Sequence, residues 1–146
     1  MAARDDGPGE ELGALLSGLL DLVVEREAPI LKAHGVTTWE YVILSRLMGE
    51  SGLTQKELAR RSRRDPTRLI GHLDALGDRG LIAREVDGAD RRRRTVRLTE
   101  EGRDLVLATR HDIRQMEADL LGGLSADAQN DLRNALAAVL RRNATA

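Results

Sequence analysis

Residues 53–82, LTQKELARRSRRDPTRLIGHLDALGDRGLI, decide the fold of this 146-residue chain. Thr54 and Glu57 have the spacing of a capping box, which predicts that a short helix begins here. Asp65 followed by Pro66 is typical of an N-cap and the first position of a second helix. The few polar residues between the two helices predict a tight turn. The segment is therefore expected to form two short helices joined by a turn.

The residues that follow this helix pair predict a β-hairpin. Residues 81–86 and 95–98 have the length and apolar content of strands, and the polar loop between them, residues 87–94, is basic. Two helices and a hairpin in this order form a winged helix-turn-helix, which places its second helix in the major groove of DNA. We therefore predict that double-stranded DNA is a partner.

Leucine-rich segments with helical spacing flank this region on both sides. In the first of them, Pro29 is expected to kink or split the helix. Thr37 and Glu40 form another capping box, which predicts a second helix before the helix pair. Two more helices are predicted after the hairpin, the last one capped by Ser125. The predicted fold class is mainly α with a small β-hairpin wing.

Charge is distributed unevenly along the chain. The net charge is −1, but residues 55–97 contain 13 Lys and Arg against 7 Asp and Glu, a balance of +6 that leaves −7 for the rest. A basic middle between acidic ends indicates a polyanionic partner. An ordinary solvated surface accounts less well for arginines that cluster in two short segments.

The candidate DNA contacts lie in these two segments. At the start of the second helix of the pair, Arg68 can bond a guanine edge, and Thr67 can meet a thymine methyl group or a phosphate. The arginines of the hairpin loop suit a narrow minor groove, where negative potential is concentrated. Asp90 is expected to brace a neighbouring arginine of the wing. The predicted DNA-binding residues are Arg63, Arg64, Asp65, Pro66, Thr67, Arg68, Gly71, Arg91, Arg92, Arg93 and Arg94.

In these motifs the sequence resembles the MarR family of bacterial regulators. The matching stretches are residues 53–61, 65–84 and 90–103, and the order of elements agrees over about residues 10–142. The resemblance implies a winged helix-turn-helix with a helical dimerisation region. It further implies a homodimer, a pseudo-palindromic operator, usually repression, and release by a small ligand.

The resemblance also assigns parts of the chain. It implies that Arg92 enters the minor groove with Asp90 beside it, while Gly71 stands where the family commonly has a larger polar or basic residue. Residues 1–9 are predicted to be a flexible tail and residues 10–146 a single domain. Within that domain, residues 10–35 and 99–146 are the expected dimerisation helices, and residues 37–98 the DNA-binding lobe.

The family's effector pocket lies between the dimerisation helices and the DNA-binding lobe. Arg46 in that region can pair with the carboxylate of a small aromatic or anionic effector, or form an ordinary intramolecular salt bridge. Trp39 is either a core residue or a platform for the ligand. The residues predicted to line the pocket are Leu16, Leu20, His34, Trp39, Ile43, Arg46, His111 and Met116.

Several other classes of function are disfavoured by the sequence. The absence of cysteine excludes disulfides and thiolate metal sites, and the three histidines lie on different elements, so no metal or cofactor is predicted. The chain has no phosphate-cradling glycine loop and no nucleophile elbow, so we do not expect an enzyme. No apolar run is long enough to cross a membrane, which predicts a cytoplasmic protein.

Two non-enzymatic alternatives remain open from the sequence. The basic region can belong to an architectural protein that binds nucleic acid without sequence preference, or to a dimeric interaction module whose DNA-binding lobe is degenerate. The salt dependence of binding and the preference for an operator separate the first alternative from a specific regulator. Loss of both kinds of DNA binding indicates the second alternative.

Overall fold

The computed structural model describes residues 11–50, 52–62 and 65–144, and the predicted tail at residues 1–9 lies outside them. The described chain forms six helices and three short strands. In chain order they are α1 (Leu12–Ala33), α2 (Thr38–Gly49), β1 (Leu53–Thr54), α3 (Gln55–Arg61), α4 (Pro66–Asp78), β2 (Ile82–Val86), β3 (Arg94–Leu98), α5 (Glu100–Leu120) and α6 (Ala126–Asn143). The prediction of a mainly α fold with a β-hairpin wing is confirmed.

The helix starts are set by the residues that the sequence indicated. Both capping boxes form, with Thr37 and Glu40 at the start of α2 and Thr54 and Glu57 at the start of α3. In each box the threonine oxygen accepts a backbone N–H and the glutamate accepts another, so two otherwise unpaired donors are satisfied. Ser125 caps α6 through the N–H of Ala128.

The hairpin forms as predicted, but it is part of a three-stranded antiparallel sheet in the order β1-β3-β2. The additional strand, β1, pairs Leu53 with Val96 and Thr54 with Thr95. The sequence does not reveal this strand, because two residues are too short to show an alternating pattern. Arg94, predicted to lie in the loop, is instead the first residue of β3, where it pairs with Val86.

Pro29 does not split α1, although the sequence predicts a kink or a split at this position. The helix continues to Ala33 with Pro29 inside it. Proline removes one backbone N–H, and the carbonyl it leaves unpaired belongs to Glu25, an exposed residue open to water. Leu31, two residues further on, is buried in the last turns of the helix.

The core of residues 27–112 is aliphatic and is built from α2, α3, α4, the sheet and the first part of α5. Its innermost side chains are fully buried leucines, isoleucine and valines, each contributing roughly 1.5–3 kcal/mol when removed from water. They are Ile43, Leu44, Leu58, Leu69, Leu73, Leu76, Val96 and Val106.

The start of α5 lies very close to the beginning of the hairpin. The side-chain oxygen of Thr99 donates a hydrogen bond to the carbonyl of Gly80 at 2.6 Å, and its backbone N–H bonds the carbonyl of Leu81. A Cβ at Gly102 would overlap that same carbonyl oxygen of Leu81. Glycine is therefore required at position 102 for this helix to pack against the chain that enters β2.

The chain divides into two compact units, and the division falls within α1 and within α5. One unit is residues 27–112, and the other contains the described residues 11–26 and 113–144. Among the described residues of this second unit, Ile113 alone is buried. Its helices expose many apolar side chains, including Leu12 and Leu140, which are 67% and 71% exposed. The assignment of the terminal helices to dimerisation remains a prediction.

Candidate nucleic-acid interface

Helix α4 presents its first turn to solvent and its opposite face to the core. Asp65 caps the helix by accepting the N–H of Thr67 at 2.7 Å, and Pro66 occupies the first helical position. Leu69 and Leu73 are buried at the spacing of one helix face, which fixes the rotation of α4 about its axis. The residues left on the exposed face include Thr67, Arg68, Ile70 and Gly71.

The carboxylate of Asp65, which caps α4, is ionised at neutral pH. The N–H of Thr67 and its side chain, followed by weaker effects of Arg68, hold the pKa of Asp65 below its usual value of 3.8. A negative carboxylate at this position also interacts favourably with the positive end of the helix dipole. Asp65 therefore orients the start of the helix, and a direct approach of its carboxylate to phosphate is unfavourable.

The loop of the hairpin is closed by a set of local hydrogen bonds. The N–H of Asp87 donates to the carbonyl of Arg93 at 2.9 Å, and the N–H of Arg93 donates to the carbonyl of Asp90 at 3.0 Å. The carboxylate of Asp90 accepts the backbone N–H of Arg92 at 3.0 Å. Asp90 thus contacts the backbone of the arginine segment. The side chains of Arg91, Arg92, Arg93 and Arg94 are all exposed.

Ion pairs connect the wing to both helices of the helix-turn-helix. Arg84 in β2 pairs with Asp74 in α4 at 2.7 Å, and Arg93 lies 4.0 Å from Glu57 in α3. Each pair is exposed, so each contributes little to the free energy of folding. Both nevertheless connect the hairpin to one of the two helices of the helix-turn-helix.

A cleft of about 840 Å³ lies between the starts of α3 and α4 and the wing. One side of it is apolar, and the other sides are rich in cationic groups. Glu57 is the single acid among the described residues that line it. The lining residues are Thr54, Gln55, Lys56, Glu57, Arg60, Pro66, Leu69, Ile70, Arg92, Arg93 and Arg94.

The cleft brings together only part of the predicted DNA-binding set. Pro66 and three wing arginines, Arg92, Arg93 and Arg94, line it. The remaining described members lie elsewhere on the exposed surface of α4 and the wing, and Arg63 and Arg64 lie outside the described residues. The structure adds Lys56 and Arg60, two basic residues of α3 that are not in the predicted set. The members outside the cleft are Asp65, Thr67, Arg68, Gly71 and Arg91.

Gly71 is surrounded by open space. A Cβ added at this position would meet nothing within 4 Å, so packing inside the chain does not require glycine here. Glycine in a helix interior costs about 1 kcal/mol relative to alanine. Packing within the chain therefore does not explain glycine at position 71.

The eight residues predicted for the effector pocket occur in both compact units. In residues 27–112, Ile43 is fully buried in the core, and the ring of His34 is 2.7 Å from the carboxylate of Asp112. Trp39 is partly exposed. Arg46 and His111 are exposed. In the other unit Leu16 and Leu20 are exposed and Met116 is half-buried. Their grouping into one pocket remains a prediction.

The described residues form neither a metal-binding cluster nor a membrane-spanning helix. Within residues 11–50, 52–62 and 65–144, no group of three or more histidine, aspartate and glutamate side chains is arranged to hold a metal ion. None of the helices formed by those residues has the length and apolar character needed to cross a membrane.

Comparison with known proteins identifies a family. The model of the MarR family matches residues 34–93. The HTH-type transcriptional repressor Rv2887 of Mycobacterium tuberculosis is 30% identical over 136 residues, which cover 93% of this chain and 96% of the repressor.

Solved structures agree with this relationship. A MarR family regulator from Rhodococcus sp. RHA1 superposes with a TM-score of 0.79 at 25% identity, covering 92% of this chain and 95% of that one. The structure of Rv2887 in complex with DNA has a TM-score of 0.78 at 28% identity, covering 88% and 97%. Rv2887 has also been solved with p-aminosalicylic acid, with a TM-score of 0.73 at 28% identity, covering 88% and 98%. This chain belongs to the MarR family of transcriptional regulators.

Proposed function

We propose that this regulator is a repressor that binds a pseudo-palindromic DNA operator as a homodimer. The observation that carries the proposal is the cationic cleft between the wing and the start of α4. A recognition helix in the major groove and a wing in the adjacent minor groove must straddle one strand of the DNA backbone. A cleft lined by Lys56, Arg60 and three wing arginines suits the phosphates of that strand.

Helix α4 and the wing, the two elements that flank the cleft, have different tasks in this proposal. On α4, Arg68 is the candidate for a guanine edge and Thr67 for a thymine methyl group or a phosphate, since both are exposed in the first turn. In the wing, Arg92 is the candidate for the minor groove, because the hydrogen bond to Asp90 holds its backbone at the loop. The other cations neutralise phosphates and position the protein without reading sequence.

The partner of the second compact unit is a second copy of this chain. Leucine and valine side chains along α1 and α6 are exposed to a degree unusual for a stable single chain. Covering them with an identical chain buries both sets at once, and it produces two DNA-binding lobes related by two-fold symmetry. Such a dimer matches an operator whose half-sites are about one helical turn apart.

A small aromatic or anionic effector is proposed to release the DNA. Rv2887, a relative over nearly the full length of this chain, has been solved with p-aminosalicylic acid. In this chain the candidate residues are those predicted for the pocket, with Arg46 as the cation for a carboxylate. An effector can shift the protein away from DNA only by its difference in affinity between the two arrangements of the lobes.

The proposed activity is binding and not catalysis, because the family to which the chain belongs consists of transcriptional regulators. A regulator that binds chromosomal DNA acts in the compartment that holds the chromosome, so we place the protein in the cytoplasm.

The test is a titration of the purified protein into labelled DNA from directly upstream of its own gene, with a scrambled duplex alongside at near-physiological salt. We expect the upstream duplex to bind at least about a thousandfold more tightly than the scrambled one. Equal and weak binding to both would indicate an architectural protein. Binding to neither, in the presence and absence of candidate aromatic acids, would indicate an interaction module.

A further inference from the structure

Glu57 is an unexpected residue in a surface proposed to meet phosphates. It is the single acid among the described residues that line the cleft, where it stands beside Lys56, Arg60 and the wing arginines. A carboxylate in this position repels the DNA backbone and reduces its electrostatic attraction to the cleft. Its presence therefore calls for a role other than direct contact with DNA.

The two carboxylate oxygens of Glu57 have different partners. Oε2 accepts the backbone N–H of Thr54 at 2.9 Å and completes the capping box of α3. Oε1 faces the guanidinium of Arg93, 4.0 Å away. The hydrogen bonds from Thr54, and then the charges of Arg93 and Arg61, lower the pKa of Glu57 below 4.5, so the group is negative at neutral pH.

Arg93 in turn holds the loop of the wing. Its carbonyl accepts the N–H of Asp87, and its own N–H donates to the carbonyl of Asp90. Its backbone therefore closes the loop that carries Arg92. Two residues later, Thr95 pairs with Thr54 across the sheet. The capping box of α3 is thus connected to the wing both by strand pairing and by the side chain of Glu57.

We propose that Glu57 is a positioning residue for the wing. By attracting Arg93, it holds the arginine loop at a fixed distance from the helix-turn-helix, so that the loop and α4 meet adjacent grooves together. The proposal rests on the proposed function for its effect on DNA, but the position of the loop can be measured without DNA. A single exposed ion pair adds little to folding stability, so the expected effects are on the loop and on specificity.

The test uses Glu57→Gln, because the glutamine oxygen can still accept the N–H of Thr54 while the charge is lost. Hydrogen exchange of the Asp87 and Arg93 amides should become roughly two- to fivefold faster, the effect expected for the loss of one exposed ion pair. The preference for the operator over the scrambled duplex should fall by a similar factor. Glu40→Gln is the matched control, since Glu40 completes the equivalent capping box of α2 and does not line the cleft.

A double-mutant cycle shows whether Glu57 acts through Arg93. The variant with both Glu57→Gln and Arg93→Gln should prefer the operator no less than Arg93→Gln alone. Additive effects of the two substitutions on the preference for the operator would overturn the proposal. It would also be overturned if Glu57→Gln left the amide exchange unchanged and raised the affinity for both duplexes equally. If the unmodified protein showed no operator preference, the proposed function would fail and the amide exchange alone would decide the role of Glu57.

Discussion

The two compact units of this chain differ in how completely they bury their apolar side chains. Residues 27–112 enclose a core of fully buried leucines, isoleucine and valines, whereas among the described residues of the other unit only Ile113 is buried. The first unit is complete within one chain. The second leaves most of its apolar side chains exposed, and we propose that a second copy of the chain covers them. In the proposed function, DNA reading and assembly belong to separate parts of one short sequence, so substitutions can test each part by itself.

The largest expected effect comes from Leu140→Asp in α6. Leu140 is the most exposed large hydrophobic residue described, so a charge there should prevent dimerisation while leaving the core of residues 27–112 intact. Sedimentation should show a single chain, and affinity for the operator should fall at least about a thousandfold, to that for scrambled DNA. Asn134→Asp adds the same charge at an exposed polar position of α6 and should change neither quantity. A dimeric Leu140→Asp protein would refute this use of α6.

The opposite result is expected from Leu73→Ala in α4. Leu73 is fully buried, and removing its side chain leaves a cavity that should lower the free energy of unfolding by roughly 2–5 kcal/mol. Chemical denaturation at a fixed protein concentration measures this loss, while sedimentation of the native protein should still show a dimer. Leu73→Met, which nearly conserves volume, should cost less than about 1.5 kcal/mol. A small loss for the alanine variant would mean that this core is loosely packed.

A smaller effect is expected from Arg92→Ala in the wing. The variant should lose one phosphate or groove contact per chain, so operator binding should weaken. The slope of log affinity against log salt concentration should become shallower by about one for each lobe. Titrations at several salt concentrations measure the slope. Arg97→Ala is the matched control, because Arg97 pairs with Glu85 and does not line the cleft. Unchanged affinity in Arg92→Ala would rule out the assigned role of Arg92.

The smallest effect is expected from Gly71→Ala in α4. The added methyl group has open space around it, so the free energy of unfolding should rise by up to about 1 kcal/mol. If the α4 backbone lies close to DNA at this point, operator affinity should fall although the protein is more stable. Thermal unfolding and the operator titration, compared on the same preparation, separate the two effects. Unchanged affinity would show that glycine is not needed for DNA binding.

Local signals allowed most of the fold to be predicted. The capping boxes at Thr37 and Thr54 and the cap at Asp65 all depend on neighbours within three residues, and all three form. Strand β1 was missed because its two residues become a strand only by pairing with β3, some forty residues away. Helix α1 continues through Pro29, whereas the local sequence alone predicts a kink or a split there.

The candidate site was predictable only in part, for the same reason. The arginines of the wing and the first turn of α4 are visible in the sequence as charged segments. That Lys56 and Arg60 share one cleft with the wing depends on how α3 packs beside β3. The sequence predicts the role of Glu57 in the capping box of α3. It does not predict that Arg93 lies beside Glu57, because this contact depends on tertiary packing.

In the proposed function, the DNA-binding lobe acts only when the terminal helices join two chains. The mass of the complex between the protein and its operator, measured by native mass spectrometry at increasing protein concentration, tests it most directly. We expect two chains on each operator duplex, with no populated complex of one chain. A complex of one chain per duplex, bound with the full affinity and specificity of the saturated operator, would contradict it.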